Sequence, residues 1–557
     1  MTIRPHETFD HVVVGGGSAG CVVAARLALA GRRVLLLEAG PPDDTWFVRM
    51  PATFVRVIGT ARTWVYRTEP QPHAGARTLY VPQGRTLGGG SSVNAMVYMR
   101  GTPADYDGWR DAGCPGWGWR DVLPVFVRSE CNQRLGAPFH GNQGLLHVSD
   151  PRHRHPLCRA FVAAAREIGL PGNDDFNGER QDGVGFYQTT TFRGRRDSTA
   201  SSFLRAARDR DNLSVRTGAH VLRVHCDAGQ ARAVAWRADD GSEHVAAARS
   251  EIVLAAGALA TPKILQLSGI GPGPALQHFG IPVVHELPGI GENFQDHLEV
   301  GVYGRSRRPD SLAGHDTGAR ALWHGLCWFA MRGGLLSSNV VECGGFVDTS
   351  GEGRPDLQFH VLPVLVGDVD REPHPGHGLS INPCFLRPRS RGRVGLSSPD
   401  PMAPIRFDGG YLSAQEDVDT LVRGVRLARR ILRAPAMQRL VSAELEPSAA
   451  QAIDDAAVEA YVRQRAKTVY HPAGTCRMGA DALAVVDAQL RVRGLAGLRI
   501  ADASVMPALP GGNTNAPTIM IAERCAQFLL EGESDAPAAP GAVAAARTTS
   551  ATMRVAR

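Results

Sequence analysis

Chemistry is first legible in the glycines near the N-terminus. A β-branched run at 10–14 leads directly into Gly15-Gly16-Gly17-Ser18-Ala19-Gly20, a G-x-G-x-x-G, and an apolar helical pattern over 21–28 follows at once. Glycines at such a strand-to-helix turn let the backbone approach a diphosphate. Gly15 permits the turn, Gly17 leaves room for the phosphates, Gly20 lets the helix lie close on the sheet, and the helix N-terminus offers free N–H groups. A second apolar run over 33–37 ends in Glu38, where units of this kind hydrogen-bond an adenosine ribose. The motif predicts a dinucleotide and leaves open which one.

Three further stretches carry reactive or ligand-shaped chemistry. Residues 84–94 join a glycine triplet to small hydroxyls and Asn94, a combination that brings backbone close to a flat ligand while supplying hydrogen bonds. Residues 470–479 contain His471, and residues 511–517 contain Asn513 and Asn515. The chain has 19 histidines, and spacing alone does not set His471 apart from the others.

These stretches need elements to hold them. Alternating or buried runs at 212–216, 219–224, 251–258 and 498–503 predict strands that return to the sheet begun at 10–14 and 33–38. Helical spacing marks 157–168 and 518–530, while 300–467 holds strand runs such as 380–386 and a helix over 418–432. The block 300–467 therefore reads as a second domain inserted into the first. Arg387, Arg389, Arg391 and Arg393 alternate as the wet face of a strand would, and the cluster Arg193, Arg195 and Arg196 is expected to be solvated as well.

Composition bounds the rest. With 557 residues, 43% hydrophobic and 21% charged, the chain has material for two intertwined domains. Only Lys263 and Lys467 are lysines among 61 basic residues, and a formal charge of +6 is modest for this length, so no nucleic-acid partner is expected. Ten cysteines without a C-x-x-C pair argue against a disulfide framework or zinc site and fit a cytoplasmic location. No stretch is apolar enough for a transmembrane segment, which leaves a peripheral position at a membrane open. Residues 533–557 turn to Ala, Pro, Thr and Ser and are expected to form a disordered tail.

Taken together, these segments resemble the glucose-methanol-choline (GMC) oxidoreductase family, in its choline and aliphatic alcohol dehydrogenase branch. The resemblance runs from the glycine motif with Glu38 through 84–94, a second signature at 257–271 and the run 288–297, to the His471 and Asn513 segments. It implies an α/β (α+β overall) protein: a Rossmann-like FAD-binding domain with an inserted substrate-binding domain built on an antiparallel sheet with flanking helices. The implied boundaries are FAD-binding parts at 1–153, 193–299 and 468–532, substrate parts at 154–192 and 300–467, and the tail at 533–557.

The resemblance resolves the dinucleotide to FAD and implies its contacts. Gly15, Gly17, Ser18, Ala19 and Gly20 would hold the diphosphate and Glu38 the ribose. Arg85, Gly89, Asn94 and Ala95 would lie along the diphosphate and isoalloxazine, Val221 at the adenine, Asp502 and Ala503 at the ribityl and diphosphate region, and Asn515, Pro517 and Thr518 at the pyrimidine edge. Relatives with covalent FAD attach it through a histidine just before the loop asparagine; Val93 stands there, so the FAD is expected to be non-covalent.

The family's catalytic pair falls on His471 and Asn513. The implied reaction is oxidation of a primary alcohol to the aldehyde with hydride to flavin N5: an imidazole of ordinary pKa near 6.5 takes the hydroxyl proton, and the amide steadies the alkoxide. Quinone or another acceptor would take the electrons. Choline oxidation is the alternative, because Glu299 matches a carboxylate that choline-oxidising relatives turn toward the trimethylammonium. A non-redox hydroxynitrile lyase on the same fold is a second alternative.

Overall fold

The β-branched run that opens the chain becomes strand β1 (Glu7–Val14), and its last residues, Val12, Val13 and Val14, are buried as a parallel sheet covered on both faces requires. The computed structural model describes residues 7–367 and 372–534. β1 pairs in parallel with β2 (Val34–Leu37) on one side and with Glu243–Leu254 on the other; Leu213–Arg216 extends the sheet beyond β2. The long strand Glu243–Leu254 serves two neighbours. Its start pairs antiparallel with Gln230–Arg237, itself paired with His220–Asp227, while its end pairs in parallel with Leu498–Ile500. Helix α1 (Gly20–Leu29) lies on this sheet and is tied to the C-terminal helix Asn515–Ser534 by a forked Arg26–Glu523 ion pair at 2.7 and 2.9 Å.

A second, eight-stranded sheet is antiparallel throughout. Its order is Val441–Glu446, Val302–Ser306, Gly378–Phe385, Leu357–Leu362, Cys343–Val347 and Gly183–Phe186, and the short strand Leu298–Glu299 joins Gly378–Phe385 to Lys467–Thr468. Period-two alternation gives this sheet two faces of different chemistry. Leu357, Phe359, Val361, Leu379 and Ile381 share one hydrophobic core with residues of helices Pro156–Glu167 and Gln415–Leu432. Gln358, His360 and Asn382 alternate with them and leave that core.

Two expectations about arginine hold only in part: Arg193, Arg389, Arg391 and Arg393 are exposed as expected, but their neighbours and the strand are not as the spacing suggested. Arg393 opens a strand (Arg393–Leu396), but the chain before it is irregular: the Arg389 and Ser390 N–H groups donate to Asp417 at 2.8 and 2.9 Å instead of to a ladder. Arg387 turns inward to Asp105 (2.7 Å). Arg196 is buried, not solvated. The expected tail falls outside the described residues from 535 onward, and residues 533 and 534 end the C-terminal helix. Among the described residues no helix is long and apolar enough to cross a membrane.

Candidate active site

Both sheets contribute to a cavity of about 750 Å³. Gly17, Ser18, Ala19, Gly89, Asn94, Ala95, Asp502, Ala503, Asn515 and Thr518 line it together with His471, Asn513, Glu299 and Val93. Gly15, Gly20, Glu38, Arg85, Val221 and Pro517 are not part of that lining.

The glycines divide by what they make room for. At Gly15 (φ +97°) a Cβ would sit 2.5 Å from the Ala255 carbonyl oxygen, and at Gly20 it would sit 1.8 Å from that of Gly15, so both serve close backbone approach within the protein. At Gly17 the nearest atoms to a Cβ lie 3.9 Å away. Packing alone does not require a glycine there; the space belongs to the cavity, as a diphosphate cradle demands. α1 starts beside it with no side-chain cap and no acidic residue in its first turn, so its positive end suits an anion, although the Cys21, Val22 and Val23 N–H groups already donate to the Gly17 and Ala19 carbonyls.

Glu38 accepts the Gly16 and Gly40 N–H groups, each at 2.8 Å, and burial outweighs these bonds and the Arg85 charge to push its carboxyl up to about 7. Arg85 lies 4.5 Å over the Trp64 ring. Val221 is buried on strand His220–Asp227, and Pro517 is in the first turn of the C-terminal helix. Asp502 accepts from the Gly257 N–H (2.9 Å) and the Thr261 hydroxyl (2.6 Å), fixing the turn that follows Leu254. Ser18 joins three segments: its hydroxyl donates to Asn515 at 2.9 Å and accepts the Ser91 N–H at 3.1 Å. Arg196, a residue sequence reasoning placed elsewhere, clamps the glycine-rich loop from behind. It donates to Asn94 Oδ1 (2.7 Å), Ser91 O (3.0 Å) and Val48 O (2.9 Å), and burial draws its guanidinium down to about 9.

His471 follows Lys467–Thr468 after Tyr470, whose φ of +69° turns the chain sharply. A buried carboxylate, Asp296, holds the turn: Oδ1 accepts the backbone N–H groups of His471 and His297, both at 2.9 Å, and Oδ2 accepts the hydroxyls of Tyr411 and Thr468. Burial nevertheless pushes Asp296 up to about 6.

The hydrogen bonds then fix the tautomers. His297 Nε2 lies 3.1 Å from the Leu386 carbonyl oxygen, which can only accept, so Nε2 carries the proton and His297 Nδ1 is a lone pair. That lone pair faces His471 Nδ1 at 3.0 Å, so His471 carries its proton on Nδ1 and leaves Nε2 as an open acceptor. Asn513 Nδ2 stands 3.4 Å from that nitrogen. The Asn513 amide is oriented by Gln358, whose Nε2 donates to Asn513 Oδ1 at 3.2 Å. A base and a donor thus stand side by side.

Burial, then His297 and His360, hold His471 well below the ordinary histidine range, and burial takes His297 down to about 4. The imidazole is therefore neutral at pH 7, with Nε2 available to accept a proton but a weaker base than an ordinary histidine poised near 6.5. His297 falls in the motif run 288–297 and Arg196 in an arginine cluster, but no periodic signal in the sequence marked the roles of His297, Gln358 or Arg196.

Glu299 also lines the cavity, but its charge is engaged. His360 Nδ1 stands 2.9 Å from Oε2, Asn382 donates to Oε1 at 2.8 Å, and Lys467 Nζ is 3.7 Å away. Burial by itself would raise its carboxyl, and the His360 bond, Lys467 and Asn382 together carry it below its usual range.

Known proteins share this architecture. Residues 9–299 and 388–522 match the N-terminal and C-terminal family models of the GMC oxidoreductases. The chain is 44% identical over 529 residues to an alcohol dehydrogenase [acceptor] of Pseudomonas putida, covering 94% of this chain and 96% of that one. It is 39% identical to the mitochondrial choline dehydrogenase of Mus musculus, covering 94% and 89%. The crystal structure of pyridoxine 4-oxidase from Mesorbium loti superposes with a TM-score of 0.84 at 32% identity, covering 93% and 98%. By both family models and by its likeness to these relatives over nearly its whole length, this chain belongs to the GMC oxidoreductase family.

Proposed function

We propose that the chain oxidises a primary alcohol to the aldehyde, with His471 as general base and a non-covalently held FAD. The observation that carries this reading is the one-way hydrogen-bond line from Leu386 through His297 to His471, which leaves a neutral Nε2 facing the cavity beside the Asn513 amide. FAD, when bound, supplies the hydride acceptor. His471 Nε2 takes the hydroxyl proton of the alcohol, and the resulting imidazolium is steadied through Nδ1 by His297. Asn513 Nδ2, held by Gln358, donates to the developing alkoxide.

The cofactor would be held as the motifs suggest: Gly15, Gly17, Ser18, Ala19 and Gly20 at the diphosphate, Glu38 at the ribose, and Val221 at the adenine. Arg85, Gly89, Asn94 and Ala95 would hold the diphosphate and isoalloxazine, with Asp502, Ala503, Asn515, Pro517 and Thr518 at the ribityl and pyrimidine parts. Gly17, with free space where a side chain would stand, supports that fit. Residues 1–153, 193–299 and 468–532 would form the FAD-binding part, and 154–192 and 300–467 the substrate part.

Alcohol oxidation also agrees with the names of the Pseudomonas putida and mouse relatives. Between their donors, the pairing of Glu299 with His360, Asn382 and Lys467 favours an uncharged alcohol over choline, since the carboxylate is already matched by a cation. We take a quinone or other non-oxygen acceptor, and a cytoplasmic, membrane-peripheral position, as part of the same reading.

The test is anaerobic flavin reduction by a primary alcohol. His471→Ala should keep full flavin content and lose about 10²-fold or more in rate, while Asn513→Ala loses less because water can replace part of an amide donor. Reduction of His471→Ala at near wild-type rate would overturn the assignment.

A further inference from the structure

Helix Gly318–Met331 is out of place for an apolar helix. Trp328 is its one buried side chain, while Leu322, Trp323, Leu326 and Phe329, spaced to fall on one face, stand 67, 64, 57 and 44% exposed. A second apolar segment completes the surface. Trp46 packs edge-on against Phe329 at 5.0 Å and Trp328 at 6.0 Å, and Phe47 and Val55 are exposed beside it. Arg56 fastens this segment to Asp316, just before the helix, at 2.8 Å.

We propose that this face docks on a bilayer surface bearing anionic headgroups. The charge around it selects that occupant. Neither 46–68 nor 317–341 contains an Asp or Glu; Arg56 and Arg62 are paired with Asp316 and Asp44, and Arg49, Arg320 and Arg332 flank the apolar residues in sequence. Arg49, itself exposed, lies 5.5 Å over the exposed Trp46 ring, so a cationic head stands beside an aromatic body as at a membrane interface. A second copy of the chain seated here would bring arginine against arginine; lipid phosphate would not. The helix has 14 residues, so it is about 21 Å long, too short to cross a hydrocarbon layer of about 30 Å, and its stripe suits lying along the interface.

The face also leads to the reaction. Phe54, Val55 and Ile58 line the cavity, and Val55 is exposed on the docking face as well. Resting on the alcohol-oxidation reading, the docked face lets an apolar alcohol or a lipid-soluble acceptor enter from the bilayer without passing through water.

Cosedimentation of the holoprotein with sucrose-loaded vesicles, without substrate, tests docking separately from turnover. The wild type should pellet with phosphatidylcholine vesicles containing phosphatidylglycerol, less with phosphatidylcholine alone, and less as salt rises. The double variant Trp323→Glu/Leu326→Glu should lose about tenfold or more of this partition, and Arg49→Glu/Arg320→Glu should lose the preference for anionic lipid. Both should retain flavin content and dye-linked oxidation of a soluble alcohol in vesicle-free buffer, so a failed alcohol assignment would leave the docking result intact. Three outcomes would overturn the proposal: a wild type that stays in the supernatant with both vesicles, a Trp323→Glu/Leu326→Glu variant that pellets like wild type, or a wild-type dimer that this variant splits without any vesicle binding.

Discussion

Replacing His297 by leucine removes the ring nitrogen that accepts from His471 Nδ1 at 3.0 Å while leaving the cavity residues His471 and Asn513 in place. The buried Nδ1–H of His471 then lacks its partner, at a cost of about 1–3 kcal/mol for an unsatisfied donor. The imidazole escapes that cost by moving its proton to Nε2, the position where a base must be empty. If the whole penalty falls on the base-competent tautomer, anaerobic flavin reduction should slow by about 5- to 150-fold, less than the loss in His471→Ala. His297→Gln offers an amide oxygen to the same N–H and should recover part of the rate, whereas a loss of packing alone would leave Gln no better than Leu. The pH profile gives an independent reading. Because burial holds His471 well below its ordinary range, the wild-type rate should be flat through neutral pH and fall only at acid pH, as the base takes up a proton. A His297→Leu enzyme that reduces its flavin as fast as wild type would refute the tautomer argument; one slower than His471→Ala would make His297 the base.

Two other outcomes follow from the cavity wall. With Glu299 matched by Lys467 and His360, straight-chain primary alcohols should be oxidised with kcat/KM about tenfold or more above choline, and Lys467→Met should narrow that gap by freeing the carboxylate for a cation; a steady-state comparison of the two substrates in both proteins checks it, and a wild type that prefers choline would refute it. Val93 cannot form the bond that a histidine makes to flavin, so acid precipitation should release all the yellow colour into the supernatant; colour retained in the pellet would refute non-covalent binding.

Local geometry explains what could be read directly from the chain. The turn at 15–20 was visible because a strand, two obligatory close approaches and an apolar helix each restrict the residues at one place: Gly15 and Gly20 cannot carry a Cβ without striking backbone. The strand run at 380–386 and the helical period over 418–432 were likewise local; the structure shifts the strand to Gly378–Phe385 and starts the helix three residues earlier, at Gln415–Leu432. The motif segments at 84–94, 470–479 and 511–517 could be named, but their mutual placement could not.

Tertiary structure decided the rest, because a hydrogen-bond partner far along the chain has no local signature. The direction of the His471 proton depends on His297, 174 positions away, and on a carbonyl at Leu386; the Asn513 amide depends on Gln358. Arg387 and Arg196 read as wet from their spacing, yet Asp105 and the loop carbonyls draw them inward. Glu299 reads as a free carboxylate until Lys467 arrives beside it on a paired strand. The helix Gly318–Met331 makes the converse point: its sequence is apolar enough for a core, and the fold leaves its face without one.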